Sequence, residues 1–198
     1  MSTSAEDLRA IALEEFATAG YIGTSLHRIA DLAGLSKSSV LYHYASKEVL
    51  LGAAIGPAID AMDDILDALE AEPLTATRRG TFIVQFVDFL LEHRLEVHMF
   101  INQGPSLVDV PVVERANALV RRLAQYFSST TTSTEDRMRF GVALGGAAYM
   151  LVASQSFDLE PLPVDETRAA LINIVTELLA PVDVSPQHPH ARPLTEPD

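Results

Sequence analysis

Apolar side chains recur along most of this chain at intervals of three and four residues, and no stretch of any length alternates apolar with polar positions. This spacing predicts amphipathic helices rather than strands, and therefore an all-α fold. Polar runs and Gly-Pro pairs separate the helices from one another. Besides two short helices on either side of Gly34, the predicted segments are 5–19, 47–70, 75–93, 94–102, 111–128, 135–157 and 165–180.

The two short helices and the turn between them lie within residues 24–50. The apolar face of the first consists of Leu26, Ile29, Ala30 and Ala33. Gly34 is predicted to end this helix because glycine accepts a positive φ. Ser36 is placed to cap the second helix, whose inward positions are Val40 and Tyr44. The pattern is that of a helix-turn-helix.

The second helix leaves small polar and basic side chains outward at its N-terminal end, which is the end of a recognition helix that meets base edges. Ser46 caps a third helix that begins at Lys47, so backbone N–H groups and a cation form a suitable phosphate site there. Tyr42 either joins this surface or packs against the core of the three helices. The predicted DNA-contacting residues are Thr24, Ser25, Arg28, Ser36, Lys37, Ser38, Ser39, Tyr42, His43 and Lys47.

Residues 5–55 resemble the DNA-binding region of the tetracycline-repressor (TetR) family of bacterial regulators. The resemblance is carried by Phe16, Gly20, Thr24-Ser25, Ile29-Ala30, Ala33-Gly34, Ser36-Lys37, Tyr42-His43-Tyr44 and Ser46-Lys47-Glu48. Leu41 departs from the pattern, since the family usually has a phosphate-binding Tyr there, and Ser38 stands where Gly is common. The resemblance implies a homodimer that binds a palindromic operator and represses transcription until a small molecule enters its helical body.

The formal net charge of −13 is unusual for a protein that binds DNA. The charge is distributed unevenly, however: it is −2 over residues 1–55, +2 over 24–47 and −11 over 56–198. The cations are therefore concentrated at the proposed DNA contacts. An acidic body should suppress non-specific DNA binding, which is mainly electrostatic.

We divide the chain into a head (1–55), a helical ligand-binding and dimerisation body (56–180) and a tail (181–198) whose Pro-rich, polar composition predicts disorder. A kink or break is predicted at Gly56-Pro57, inside the segment 47–70. The candidate ligand-binding residues are Phe86, Phe89, His98, Asn102 and Tyr149, with Gln103 as a further polar candidate. The candidate dimer-interface residues are Gly141, Gly145 and Ala148, because the resemblance implies that the last two helices form the interface.

Phe140–Phe157 contains no charged residue, and it therefore admits a second interpretation as a membrane span. The many small residues lower its hydropathy, and Ser154, Gln155 and Ser156 are poorly suited to lipid. A buried interface helix is the favoured interpretation.

Motifs for catalysis, phosphate binding or metal binding are absent from the sequence. We therefore expect no enzyme activity, no cofactor and no metal. The lack of Cys and of a secretion signal favours the cytoplasm. The competing hypothesis is a ligand-binding or interaction dimer whose head no longer binds DNA, and an activator is a third possibility.

Overall fold

The computed structural model describes residues 5–131, 133–156 and 162–182. Within these ranges the chain forms α-helices and one 3-10 turn, Gly104–Ser106, and no strand. The helices are α1 (Ala5–Ala19), α2 (Leu26–Leu32), α3 (Lys37–His43), α4 (Lys47–Glu70), α5 (Ala76–Glu92), α6 (Arg94–Gln103), α7 (Pro111–Thr130), α8 (Thr134–Ser156) and α9 (Val164–Leu179). The predicted all-α fold is confirmed. The predicted disordered tail lies, from residue 183 onward, outside the described residues.

The head is built around one closed apolar cluster, here called the head core. It joins α1, α2 and α3 to the first half of α4. Its members Leu8, Phe16, Ile29, Val40 and Leu50 are fully buried. Met99 of α6 is also part of this cluster, so one helix of the body packs directly into the head.

Helix α4 is continuous from Lys47 to Glu70, so of the predicted kink or break at Gly56-Pro57 the break does not occur. Pro57 removes only one helical hydrogen bond, because it lacks an N–H. Ile55 and Ile59, on either side of it, are buried in the head core, and this packing holds the helix together across the proline. The predicted division between head and body at residues 55 and 56 therefore falls inside a single helix.

The body has its own apolar cluster, formed by α5, α7, α8 and α9 with the second half of α4. Aromatic rings fill its centre: the ring centroids of Phe127 and Phe140 are 3.8 Å apart, and those of Phe82 and Phe127 are 5.7 Å apart. None of the helices in the described part of the chain is sufficiently long and apolar to span a bilayer.

Candidate functional site

The turn between α2 and α3 has the geometry that the sequence predicts. Ser25 caps α2, its Oγ accepting the backbone N–H of Arg28 at 3.2 Å. Gly34 has a φ of +66°. The N–H of Gly34 bonds to Asp31 O at 3.1 Å, and that of Leu35 bonds to Ala30 O at 2.8 Å. These two bonds form a Schellman motif, which satisfies the last carbonyl groups of α2.

Helix α3 is held against the head by its two inward side chains. Val40 is fully buried in the head core, and the Tyr44 hydroxyl donates to the carbonyl oxygen of Ala5 at 2.9 Å. Ser36 caps the helix by accepting the N–H of Ser39 at 3.1 Å. The hydroxyl oxygen of Ser36 also lies 2.8 Å from that of Ser38. The orientation of α3 is thus set by contacts on its inner face alone.

The outer face of α3 is open to solvent. Lys37, Ser38 and His43 are exposed, whereas Ser39 is half-buried. Tyr42 is 87% exposed, so it does not pack in the head core, and its ring contacts His43 edge-on at 5.4 Å. These side chains form a continuous polar and aromatic surface, which we call the α3 face.

Thr24 and Lys47 are predicted DNA contacts whose polar groups bond to the loop between α1 and α2. Thr24 is buried, and its hydroxyl donates to Gly20 O at 2.8 Å. The Lys47 ammonium group donates to the carbonyl oxygens of Tyr21 at 2.8 Å and Thr24 at 2.9 Å, and lies 4.3 Å from the centre of the Tyr21 ring. Burial lowers the pKa of Lys47, whereas its two carbonyl acceptors favour the charged form. Lys47 therefore holds the loop between α1 and α2 in place. Ser46 caps α4, as predicted.

Arg28 lies at the surface beside a buried carboxylate. Its Nε donates to Oε1 of Glu15, and this bond raises the pKa of Arg28. The Arg28 side chain is 60% exposed and that of Glu15 only 8%. The sequence analysis missed Glu15, although the signal was present: it is a carboxylate next to Phe16 on the apolar face of α1.

Gln103, at the end of α6, joins the body to the head. Its Nε2 donates to Phe16 O at 2.7 Å, and its Oε1 accepts the N–H of Tyr21 at 2.6 Å. Both ends of one amide side chain therefore bond to backbone groups at the end of α1 and in the loop that follows. We call this pair of bonds the Gln103 bridge.

The body encloses a cavity of about 740 Å³ between α4, α5, α6, α7 and α8. Its lining is mainly apolar, and the predicted ligand-binding residues Phe86, Phe89 and Tyr149 are part of it. Ile55 and Ile59 line the cavity and also belong to the head core. The cavity wall and the head core therefore share these two side chains, so a change in the shape of the cavity acts directly on the packing of the head.

Of the predicted ligand-binding residues, His98 and Asn102 do not line this cavity. The amide nitrogen of Asn102 bonds back to His98 O on the same helix at 3.1 Å, and Asn102 is exposed. In the part of the chain that the structure describes, no group of His, Asp and Glu side chains is placed to hold a metal ion.

The small residues predicted for the dimer interface also belong to the cavity. Gly141, Gly145 and Ala148 line it, and the two glycines are at its open side. A different stripe of α8 is apolar and faces solvent, with Met138, Val142 and Met150 each more than 60% exposed. The sequence did not distinguish these two faces, because small residues occur on both.

The head and the whole fold have relatives among known proteins. Residues 8–54 match the sequence model of the TetR family of bacterial regulatory proteins. The HTH-type transcriptional regulator RutR of Escherichia coli K12 is 38% identical over 123 residues, which are 62% of this chain and 54% of RutR. The chain thus spans about half the length of the curated relatives it matches.

Two solved structures have a similar fold over most of their length. The ketosteroid transcriptional regulator KstR2 of Mycobacterium tuberculosis has a TM-score of 0.66 at 16% identity, over 89% of this chain and 95% of KstR2. A member of the TetR transcriptional regulator family from Streptomyces coelicolor A3 has a TM-score of 0.68 at 23% identity, over 90% and 91% of the two chains. The sequence match in the head and the shared helical architecture both support membership of the TetR family of bacterial regulatory proteins.

Proposed function

We propose that this chain is a ligand-responsive transcriptional repressor that binds a palindromic operator as a homodimer. The observation that carries the proposal is the α3 face. Its side chains take no part in holding the head together, because Val40 and Tyr44 do that from the opposite side. A helix presented in this way on a helix-turn-helix is suited to the major groove.

The roles within the head follow from the contacts of each residue. Lys37, Ser38, Tyr42 and His43 contact DNA, with Tyr42 supplying the aromatic phosphate contact in place of Leu41. Arg28 contacts a phosphate through the part of its guanidinium group that Glu15 leaves exposed. Lys47 acts indirectly, by fixing the loop that precedes α2.

A second copy of the chain is the proposed partner of the exposed apolar stripe of α8. Met138, Val142 and Met150 face solvent there, and Ile174 is 52% exposed on α9, the helix that packs beside α8. Apolar patches of this kind on a water-soluble surface mark interaction sites. A symmetric dimer would cover the stripe and give two heads for two half-sites.

A ligand in the body cavity would act by binding one conformation more tightly than the other. Ile55 and Ile59 connect the cavity wall to the head core, and the Gln103 bridge connects α6 to the loop after α1. Occupation of the cavity would shift α4 and α6, and with them the spacing of the two heads.

Selection of bound sequences from a random DNA pool tests the function. We expect a palindromic motif, and Lys37→Ala should lower the slope of log K against log salt by about 1. Arg121→Ala, an exposed cation of the body, is the control and should leave the slope unchanged. If no sequence is enriched over the starting pool, the head does not recognise DNA and the proposal is wrong.

The dimer is tested with Val142→Asp, which puts charge into the apolar stripe without touching the cavity. Sedimentation should change from dimer to monomer, and operator affinity should fall steeply because one head makes half the contacts. A Val142→Asp protein that still sediments as a dimer would place the interface on another surface.

A further inference from the structure

The cavity of the body opens to solvent between α7 and α8, and we call this opening the slit. Its solvent-exposed lining residues follow one another in steps of four: Val120, Ala124 and Ser128 on α7, and Arg137, Gly141 and Gly145 on α8. Such steps form one stripe along each helix. Arg137 and Tyr149 are at opposite ends of the stripe on α8, about 18 Å apart at the usual helical rise. A cavity wall of this length fits an extended molecule.

Two charged side chains line this cavity, and their surroundings differ. Glu96 is largely buried, and its Oε1 lies 3.4 Å from Nδ1 of His93. Arg137 is exposed at the slit, and its Nε has one long contact, 3.4 Å, with Ser133 O. No carboxylate among the described residues pairs with Arg137, whereas Arg139 on the same helix bonds to Glu135 at 2.7 Å.

Among the described residues, Arg137 is therefore the cation of the cavity that has no carboxylate partner, and it lies at one end of a mainly apolar lining. A guanidinium group forms paired, charge-assisted hydrogen bonds with carboxylate and phosphate groups. The buried carboxylate of Glu96 repels an anion, and it already faces His93. An anionic group is thus accepted at Arg137 and disfavoured at Glu96.

We propose that the effector is an elongated, mainly apolar molecule with one anionic end group, and that Arg137 binds this group. The inference rests on the proposed ligand-responsive role of the cavity. The apolar part lies along Phe89, Phe100 and Leu144, and the anionic end remains at the slit, where solvent reaches it.

The test is calorimetric titration of the full chain with dodecanoate, dodecyl phosphate and dodecan-1-ol, each at a concentration at which it is monomeric in solution. The three share one apolar chain, so the alcohol measures burial of that chain alone. At least one anion should bind about tenfold more tightly than the alcohol, as an added charge-assisted hydrogen bond supplies. Arg137→Gln should remove this preference and leave the affinity for the alcohol unchanged, whereas Arg139→Gln should keep it.

A second variant locates the binding. Ala148→Phe places a ring in the cavity, so it should weaken all three probes together. Equal affinity of the anions and the alcohol, an equal effect of the two Arg variants, or binding that Ala148→Phe leaves unchanged would each overturn the inference. Operator binding is measured separately: a protein that binds its operator but shows no anion preference refutes only the ligand class, and one that prefers anions but binds no DNA refutes only the regulatory function.

Discussion

The head and the body of this protein are packed in different ways. In the head, α1 to α4 enclose a core whose large side chains have no exposed surface, and Phe16 and Leu50 are examples. In the body, comparable side chains such as Phe89 and Phe100 are only partly buried, because one side of each faces the cavity. The head is thus packed around a closed core, whereas the body combines a packed aromatic cluster with a large cavity.

Among the described residues, ion pairs between helices are found mainly in the body. Within the described residues, several ion pairs of the body cross between helices: Arg122 of α7 bonds to Asp63, Asp67 and Glu70 of α4, and Arg168 of α9 bonds to Asp88 of α5. The head is held mainly by apolar packing and helix caps. A recognition surface requires one conformation, which close packing supplies. A ligand cavity requires walls that can adjust, and surface ion pairs permit this.

The largest expected effect is a difference in stability between a variant of the head core and a variant of the cavity wall in the body. Phe16→Ala should lower the free energy of unfolding by about 3–5 kcal/mol, since it leaves a cavity in a closed core. Phe89→Ala should cost roughly 1–2 kcal/mol, because its ring already lacks neighbours on one side. Urea unfolding followed by circular dichroism measures both. Equal losses would mean that the body is packed as tightly as the head.

The Gln103 bridge is where the two regions meet, and it gives the next largest effect. Gln103→Ala leaves the N–H of Tyr21 and the carbonyl of Phe16 without their partner, which should cost about 1–3 kcal/mol. The neighbouring variant Asn102→Ala, which loses bonds only within α6, is the control and should cost much less. Native-state hydrogen exchange should be faster at the Tyr21 amide in Gln103→Ala alone. Unchanged exchange there would show that the bridge does not hold the loop.

The ion pairs between α4 and α7 should contribute less than the bridge. Arg122→Met leaves three carboxylates close together without a cation and should cost about 1 kcal/mol at low ionic strength. Arg121→Met removes a single exposed pair with Glu114 on the same helix and should cost almost nothing. The difference between the two variants should shrink in concentrated salt. A difference that persists there would point to lost packing instead of charge.

The smallest effect is a dependence on pH. The hydrogen bond from Arg168 lowers the pKa of Asp88 from its ordinary value of 3.8. A lowered pKa in the folded state stabilises the protein above that value, and the contribution is lost as the pH falls through the folded-state pKa. The stability difference between the wild type and Asp88→Asn should therefore be constant near neutral pH and decline in acid below about pH 4. A difference that grows on acidification would contradict the assignment.

Much of the fold could be predicted because its determinants are local. The 3.6-residue period of apolar positions is present in the chain itself, and so are the caps: Ser25, Ser36 and Ser46 each bond three residues ahead. Gly34 ends α2 for a reason that concerns its own backbone. Wherever a rule depended on a single helix, the prediction was close. Of the kink or break predicted at Gly56-Pro57, the break does not occur, because packing from outside the helix overrides the local preference of proline.

The sequence by itself determined the helices, the helix-turn-helix and the character of the α3 face, since these depend on residues within a few positions of one another. Only the tertiary structure decided which polar side chains have hydrogen-bond partners elsewhere in the protein. Lys47 bonds to carbonyls 23 and 26 positions away, and Gln103 to groups 82 and 87 positions away. It also decided that Gly141 and Gly145 line a cavity, because a stripe of small residues permits either a close helix contact or an open space. Which of the two occurs depends on where the neighbouring helices lie, and no property of α8 alone contains that information.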